Sequence, residues 1–205
     1  MNAAKPGRRV GAAAGGILLA ATAFALSTTP ARASTVAATC DGLTVGAAQA
    51  AGYVVHDFRG AQPAFLLAPP GQHDFVLGSD VADIIDTGDH DDIVCSFGGA
   101  DTVYGGTAHD RIFLGSGSDY AEGGSGSDFV SGGRDSDEIH GDGILGDLPT
   151  DGRDTLQGGE DNDDLYGGSK ADSIDGGSTG FDDDFADGGD GGDTCTEIEQ
   201  APVSC

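Results

Sequence analysis

The sequence has few of the residues that build a conventional hydrophobic core or a nucleic-acid-binding surface. It contains no tryptophan, one methionine and only 6% aromatic residues, whereas 37 of its 205 residues are glycine. Lys and Arg together number 9 against 35 Asp and Glu, which gives a formal net charge of -26. A phosphate-binding face needs clustered basic residues, so this composition argues against a nucleic-acid partner. A chain of this kind either stays disordered or is held together by cations.

Motifs of catalysis and of common metal sites do not account for this sequence either. The 5 histidines include no His-Glu-x-x-His pair, and no segment has the spacing of an EF-hand loop. Residues 176–180 match Gly-x-Ser-x-Gly, but nothing around them predicts the strand, turn and helix that a nucleophile elbow requires. We therefore expect a protein that is not an enzyme.

The first 33 residues have the organisation of a secretory signal peptide. A basic segment ends at Arg9, residues 10–26 are small or apolar, and residues 31–33 (Ala-Arg-Ala) offer a cleavage site. Cleavage there would leave a mature chain with a net charge of about −30, because the leader holds four basic residues and no acidic one. A retained anchor is the alternative, although the apolar stretch is short for a spanning helix. We expect a secreted, extracellular protein without a membrane-spanning segment after cleavage, with cell-surface attachment left open.

Four cysteines follow the leader, at Cys40, Cys95, Cys195 and Cys205. An even number of cysteines in an exported chain indicates disulfides, and four cysteines allow three pairings. The short separation favours Cys195 with Cys205, which leaves Cys40 for Cys95. A cysteine metal site is the alternative, but there is no Cys-x-x-Cys and no histidine at zinc-ligand spacing.

A nine-residue repeat runs through residues 70–196. Aspartate recurs at intervals of nine, and a small or apolar residue stands two positions after each one. Insertions of eight residues, within 141–151, and of three residues, before Asp184, interrupt the series. A solvated acidic surface is the alternative, but it would not place aspartates on such a grid. The series comprises Asp74, Asp83, Asp92, Asp101, Asp110, Asp119, Asp128, Asp137, Asp154, Asp163, Asp172, Asp184 and Asp193.

The cleanest unit, residues 123–131, reads Gly-Gly-Ser-Gly-Ser-Asp-Phe-Val-Ser. It matches the G-G-x-G-x-D-x-U-x nonapeptide, in which U is a large apolar residue. Over residues 69–196 the chain resembles the RTX, or haemolysin-type, calcium-binding repeat family. The resemblance implies an all-β fold, a parallel β-roll with two units in each turn, here stapled by two disulfides. It divides the chain into a signal peptide (1–33), an N-terminal cap segment (34–68), the calcium-binding roll (69–196) and a disulfide-closed tail (197–205).

Each position of the unit has a physical role. The last three residues form a short strand whose central side chain points inward, and the glycines of the first six allow tight turns. Calcium takes six to eight oxygen ligands, which carboxylates and backbone carbonyls supply. We therefore predict several Ca²⁺ ions, lying between loops of units i and i+2 as the resemblance implies. The predicted aspartate ligands are Asp92, Asp101, Asp110, Asp119, Asp128, Asp137, Asp154, Asp163, Asp172 and Asp193, and the predicted glycines are Gly106, Gly115, Gly117, Gly124, Gly126, Gly133, Gly159 and Gly168.

Parts of the chain depart from the repeat. The units around Asp74 and Asp83 are degenerate, so weak or absent metal binding is expected there. The insertion at 141–151 should bulge from one edge and disturb the sites beside it. Residues 53–58 and 65–67 are candidate strands in the otherwise uninformative N-terminal segment.

The charge of the repeats predicts a folding mechanism. Stacked carboxylates repel one another, so we expect a monomer that folds when calcium binds. Outward aromatic residues offer a second function, a face for a protein or cell-surface partner; shielding of the strands is the alternative. These residues are Tyr104, Phe113, Tyr120, Phe129 and Tyr166.

Overall fold

The computed structural model describes residues 39–60, 63–144, 148–177, 182–200 and 204–205. The predicted signal peptide, residues 1–33, lies outside these described residues. Apart from one helix of seven residues, the regular secondary structure of the described chain is short β-strands, in agreement with the predicted fold class.

The elements follow the chain in this order. A small N-terminal group comprises β1 (Thr39–Cys40), β2 (Leu43–Thr44) and α1 (Val45–Ala51). The remaining strands are β3 (Val54–Asp57), β4 (Phe65–Leu67), β5 (Asp74–Leu77), β6 (Ile84–Asp89), β7 (Ile93–Gly98), β8 (Thr102–Thr107), β9 (Arg111–Ser116), β10 (Tyr120–Ser125), β11 (Phe129–Arg134), β12 (Glu138–His140), β13 (Thr155–Glu160), β14 (Asp164–Tyr166), β15 (Ser173–Asp175), β16 (Phe185–Asp187) and β17 (Thr194–Thr196).

Strands β3 to β17 form two parallel sheets. The odd-numbered strands make an eight-stranded sheet and the even-numbered strands a seven-stranded sheet, each in chain order. Within each sheet, a strand pairs with the strands two before and two after it in the chain. In β10, for example, Ala121 pairs with Val103 of β8 and with Ile139 of β12. Two units therefore make one turn, and the predicted parallel β-roll is confirmed.

The core lies between the two sheets, and most strands contribute one inward side chain to it. The residue two positions after each repeat aspartate points inward, because alternate side chains of a strand face opposite ways. Apart from Cys195, which is half-buried against the others, these side chains are fully buried and stack into a single cluster. They are Val76, Ile85, Val94, Val103, Ile112, Ala121, Val130, Ile139, Leu156, Leu165, Ile174 and Ala186, joined by Leu114.

The sheets begin ahead of the recognisable repeats. β3 pairs with β5 and β4 pairs with β6, both in parallel, so the candidate strands at 53–58 and 65–67 are confirmed. Leu66 packs against the core, and His56 stands opposite Val76 in the register of the inward column.

A helix that the sequence analysis did not predict covers the outside of the roll near its N-terminal end. The hydroxyl of Thr44 caps α1 by accepting from the Ala47 N–H at 3.2 Å, and Gly52 ends the helix with a φ of 100°. We call the group of β1, β2 and α1 the cap. It covers Phe75, Leu77 and Ile93, which are outward residues of β5 and β7 and are buried. The cap is joined to β7 by the Cys40–Cys95 disulfide, and Cys195 is bonded to Cys205. Both favoured pairings are confirmed.

Candidate calcium-binding site

The repeat aspartates form two columns, one along each edge of the roll where the chain passes between sheets. We name the two columns after one member of each, Asp92 and Asp101. The Asp92 column contains Asp74, Asp92, Asp110, Asp128, Asp154, Asp172 and Asp193, and the Asp101 column contains Asp83, Asp101, Asp119, Asp137, Asp163 and Asp184.

One carboxylate oxygen of each aspartate holds the turns in register. The backbone N–H of each repeat aspartate, except Asp184 and Asp193 at the ends of the columns, donates to Oδ1 of the aspartate one turn further on, with distances of 2.7–2.9 Å. Asp110 is joined to Asp128 in this way, and Asp119 to Asp137, so each bond links units i and i+2. The side chain is thus a structural acceptor as well as a candidate ligand.

The other carboxylate oxygen has no protein partner. Oδ2 is buried and accepts no hydrogen bond in 12 of the 13 repeat aspartates, Asp83 being the exception among the described residues. A buried carboxylate oxygen without a donor is unfavourable, since desolvation of a charge must be compensated by a partner. Two continuous rows of such oxygens indicate that the compensating partner is not a protein group.

A small gap lies beside each of these oxygens where the unit begins with glycine. A Cβ added at Gly105 would lie 2.6 Å from both Asp110 Oδ2 and the carbonyl oxygen of Gly123. The same holds at Gly167, with Asp172 Oδ2 at 2.6 Å and Gly188 O at 2.7 Å. At the first glycine of the unit, a carboxylate and a carbonyl oxygen therefore lie too close for any side chain; we call this place the first-position gap.

Calcium fits this donor set better than zinc or copper does. The described oxygens of the gap are carboxylate and carbonyl oxygens, and neither imidazole nor thiolate is among them. Hard oxygen ligands of this kind suit Ca²⁺, whereas zinc and copper prefer nitrogen or sulfur. When bound, the ion supplies positive charge between turns, while Oδ1 of the same aspartates holds the loop backbone in place.

The second and fourth glycines of the unit have a different role. All eight glycines predicted as site residues adopt positive φ, from 104° to 131°. A Cβ on Gly124 would collide with the carbonyl group of Gly106 one turn earlier, and Gly115 approaches Phe97 in the same way. These glycines allow the loops to stack closely; their carbonyl groups remain predicted ligands.

Burial changes the acid–base behaviour of the columns. Desolvation raises the pKa of Asp110 to about 9, with the charges of Asp128 and Asp92 adding to the effect. It likewise raises the pKa of Asp137 and of Asp154 to about 8. Without a cation the roll therefore favours protonated carboxyl groups, so a metal ion must compete with protons for them.

Thr87, Ser96 and Leu114 stand at the first position of their units, where most units have glycine, and the sequence analysis did not consider them. Thr87 donates from its hydroxyl to Gly105 O at 2.9 Å, and Ser96 donates to Leu114 O at 2.7 Å. Leu114 is itself a first-position residue, and it is buried in the core. The gaps beside Asp92, Asp101 and Asp119 thus differ from the glycine-lined ones. A non-glycine residue at the first position is the sequence signal for this difference.

At the N-terminal end of the roll the two aspartates expected to bind weakly have protein donors. Asp83 accepts from the Ser79 N–H at 2.7 Å and from the Ser79 hydroxyl at 2.8 Å. His56 Nε2 lies 2.8 Å from Asp74 Oδ1, although Asp74 Oδ2 is unbonded. The Asp83 carboxylate is therefore satisfied within the protein.

The insertion at 141–151 leaves the Asp92 column intact. The Asp128 N–H still donates to Asp154 Oδ1 at 2.8 Å across it, so the register of the column continues past the insertion. The insertion also contributes two buried acids that sequence reasoning missed. Asp142 accepts from the Ser169 N–H at 2.6 Å, and Asp151 accepts from the Leu148 N–H.

The fold is a parallel β-roll whose loops carry two columns of repeat aspartates. The sequence profile of the RTX calcium-binding nonapeptide repeat matches the chain in four copies, over residues 71–96, 98–121, 113–143 and 149–179. The chain belongs to this family, whose repeat is a structural calcium-binding element and not a catalytic one. Curated proteins and solved structures give no significant match. Within the described part of the chain, no helix is long and apolar enough to cross a membrane.

Proposed function

We propose that this protein is a secreted, non-catalytic calcium-binding protein that folds when several Ca²⁺ ions bind its loops. The observation that carries the proposal is the pair of columns of buried aspartates whose Oδ2 atoms have no partner. Two disulfides and the N-terminal leader in the sequence support an extracellular location, where disulfides persist.

Calcium-dependent folding follows from the charges and the thin core. The columns bring 13 carboxylates into two rows, and most inward positions carry a single Val, Ile, Leu or Ala. Each ion offsets repulsion between turns. Because the loops of two turns must come together to form a site, the free energy of binding contributes to folding. The ions are assigned first to units with an open first-position gap, which include those of Asp110, Asp128, Asp137, Asp154, Asp163 and Asp172.

Circular dichroism and calorimetry of the full-length chain test this proposal. We expect the far-UV spectrum to change from disordered to β on addition of millimolar calcium to chelator-treated protein. Asp128→Asn should lower calcium affinity at least tenfold at the sites it borders, because it removes a carboxylate charge from a buried position.

Asp164→Asn is the matched control, since it makes the same chemical change at an exposed strand position. It should leave calcium binding unchanged. A spectrum that does not respond to calcium, or equal losses in the two variants, would refute calcium-dependent folding through the columns.

A specific observation also favours a second function, a calcium-dependent interaction module. Aromatic rings line up across the outer face of the seven-stranded sheet, with centroids 4.6–6.1 Å apart. They belong to Tyr104, Tyr120, His140, Tyr166 and Phe185. On the opposite sheet, by contrast, Phe113 and Phe129 contact each other beside Arg111, which fits a shielding role. Capture of a surface partner in calcium but not in chelator, abolished by Tyr120→Ala with Tyr166→Ala, would support this module. Capture that survives these substitutions would count against it.

A further inference from the structure

The segment after the last strand continues the roll as a shortened turn. In regular turns, the residue that follows a repeat aspartate donates its N–H to the carbonyl of the aspartate one turn earlier, as Phe185 does to Asp163 at 2.8 Å. Gln200 makes the same bond to Asp184 at 3.1 Å. Glu199 therefore stands where a repeat aspartate would stand, although the sequence around it has no repeat signature.

The carbonyl that borders the first-position gap is also replaced in this turn. At Gly158 the gap is bordered by Asp163 Oδ2 and Gly176 O. At Gly176 it is bordered by Asp184 Oδ2, 2.7 Å from the position of an added Cβ, and by the carbonyl oxygen of Glu197. The shortened turn thus supplies both a carbonyl and a carboxylate in the places where a further repeat would supply them.

Three carboxylates converge at this point. Ligand oxygens of Asp182, Asp184 and Glu199 lie within 4.8 Å of one another. Asp182 and Asp184 are buried and Glu199 is exposed, so the cluster opens to solvent on one side. Asp184 has no exposed surface, and its Oδ2 is buried without a hydrogen-bond partner while Oδ1 accepts from the Asp163 N–H. A fully buried aspartate that has an oxygen without a donor, grouped with two further carboxylates, is the electrostatic setting of a divalent cation site.

We propose that Asp182, Asp184, Glu199 and the carbonyl oxygen of Glu197 form a terminal calcium site that closes the seven-stranded sheet at β16. The inference rests on the proposed function, because it assumes that the ion bound by the aspartate columns, calcium, also binds at this end of the roll. It differs from a repeat site in its ligands: Glu199 lies outside the repeats, and Asp182 stands two residues before a repeat aspartate. The donors are all oxygen, which selects Ca²⁺ over zinc or copper.

The terminal site gives the C-terminal segment a role in stability. β16 is the last strand of its sheet, and its outer edge would otherwise be exposed to fraying and to pairing with other chains. An ion held by Asp184 and Glu199 fixes the shortened turn, including Ile198, against the end of the core. Calcium then stabilises this end of the roll without a further repeat.

The test is the calcium stoichiometry of the full-length chain with Glu199→Gln. We expect this variant to bind one ion fewer than the wild type at saturating calcium, with an unchanged far-UV spectrum. Glu160→Gln is the matched control, because Glu160 is an exposed glutamate whose ion pair with Arg134 contributes little. It should bind the full complement. Hydrogen exchange at Phe185–Asp187 gives a local readout: calcium should protect these amides in the control and not in Glu199→Gln.

The outcomes separate the terminal site from the proposed function. If the wild type binds calcium and Asp128→Asn weakens that binding, but Glu199→Gln loses neither an ion nor the protection, the terminal site alone is overturned. If the wild type binds no calcium, the proposed function fails. Should Glu199→Gln fail to fold, Asp182→Asn replaces it with the same expectation, since Asp182 is not a repeat aspartate.

Discussion

At the scale of the residue, the two carboxylate oxygens of a repeat aspartate have different roles. Oδ1 of Asp128 accepts from the Asp110 N–H and sets the register of neighbouring turns, whereas Oδ2 is left for a cation. The short aspartate side chain suits this division, because both oxygens stay close to the loop backbone. Glycine at the first position completes the arrangement by adding no atoms to the space beside Oδ2.

Burial of these carboxyl groups makes the stability of the metal-free chain depend on pH, and the raised pKa values give the sign of this dependence. The pKa of the buried carboxyl groups is raised from 3.8, to about 9 for Asp110 and about 8 for Asp137. Below about pH 4 both folded and unfolded chains are protonated; as the pH rises toward about 9, the unfolded chain releases protons that the roll retains. The stability of the metal-free roll therefore falls as the pH rises through this window.

We expect the chelator-treated chain to gain β signal in far-UV circular dichroism on acidification from about pH 8 to about pH 4.5, because protonation removes the unfavourable buried charges. Calcium binding at neutral pH should release protons for the same reason. Calorimetry in buffers of different ionisation enthalpy measures this release. A binding enthalpy that does not depend on the buffer would contradict the raised pKa values.

At the scale of the element, the loop between strands is the most constrained part of the unit. Gly124 adopts a φ of 104°, and its Cα faces the carbonyl group of Gly106 in the previous turn. Both conditions exclude a side chain, the first through backbone strain and the second through contact. Ala108 and Asp135 show that positive φ alone is tolerated at the fourth position of a unit.

Gly124→Ala should lower the free energy of unfolding of the calcium-saturated protein by about 2 kcal/mol or more, since strain at positive φ alone costs roughly 1–3 kcal/mol. Thermal or urea unfolding in saturating calcium measures the change. Gly46→Ala is the control: Gly46 lies in α1 with nothing near an added Cβ, so it should be neutral or slightly stabilising. Equal effects of the two substitutions would show that close stacking of the loops does not limit stability.

At the scale of the whole molecule, two disulfides close a fold that has no large core. Cys40–Cys95 spans 55 residues and holds the cap of β1, β2 and α1 over the outward apolar residues of β5 and β7. Cys195–Cys205 spans only 10 residues, from β17 to the C-terminal residue. Arg111 adds a contact to the cap, 2.7 Å from Asp41.

Replacing Cys40 and Cys95 together by serine should lower the free energy of unfolding by about 3–5 kcal/mol, because a long closed loop is released and the cap loses its attachment. The pair Cys195→Ser with Cys205→Ser should have a smaller effect, since its loop is short. Urea unfolding of both double variants in saturating calcium gives the comparison. A larger loss for the C-terminal pair would contradict the role assigned to the cap.

The periodic part of the protein was predictable from the sequence, and the non-periodic part was not. Each unit repeats one aspartate and one inward residue, so a fixed spacing identifies the roll, its two edges and the inward column from Val76 to Ala186. Helix α1, by contrast, lies in a run of small residues without an amphipathic pattern, and its place over Phe75 depends on a strand distant in the sequence.

The sequence by itself determined the family, the parallel β-roll and the aspartates of its two columns, because repetition copies one local geometry from turn to turn. Only the tertiary structure showed that a first-position side chain such as Thr87 binds the carbonyl that borders the gap, and where the chain supplies further carboxylates. Glu199 shows the reason: it joins Asp184 through a shortened turn, and nothing local in the sequence specifies that contact. Distances between loops are set by packing and hydrogen bonding across turns, which a linear pattern does not contain.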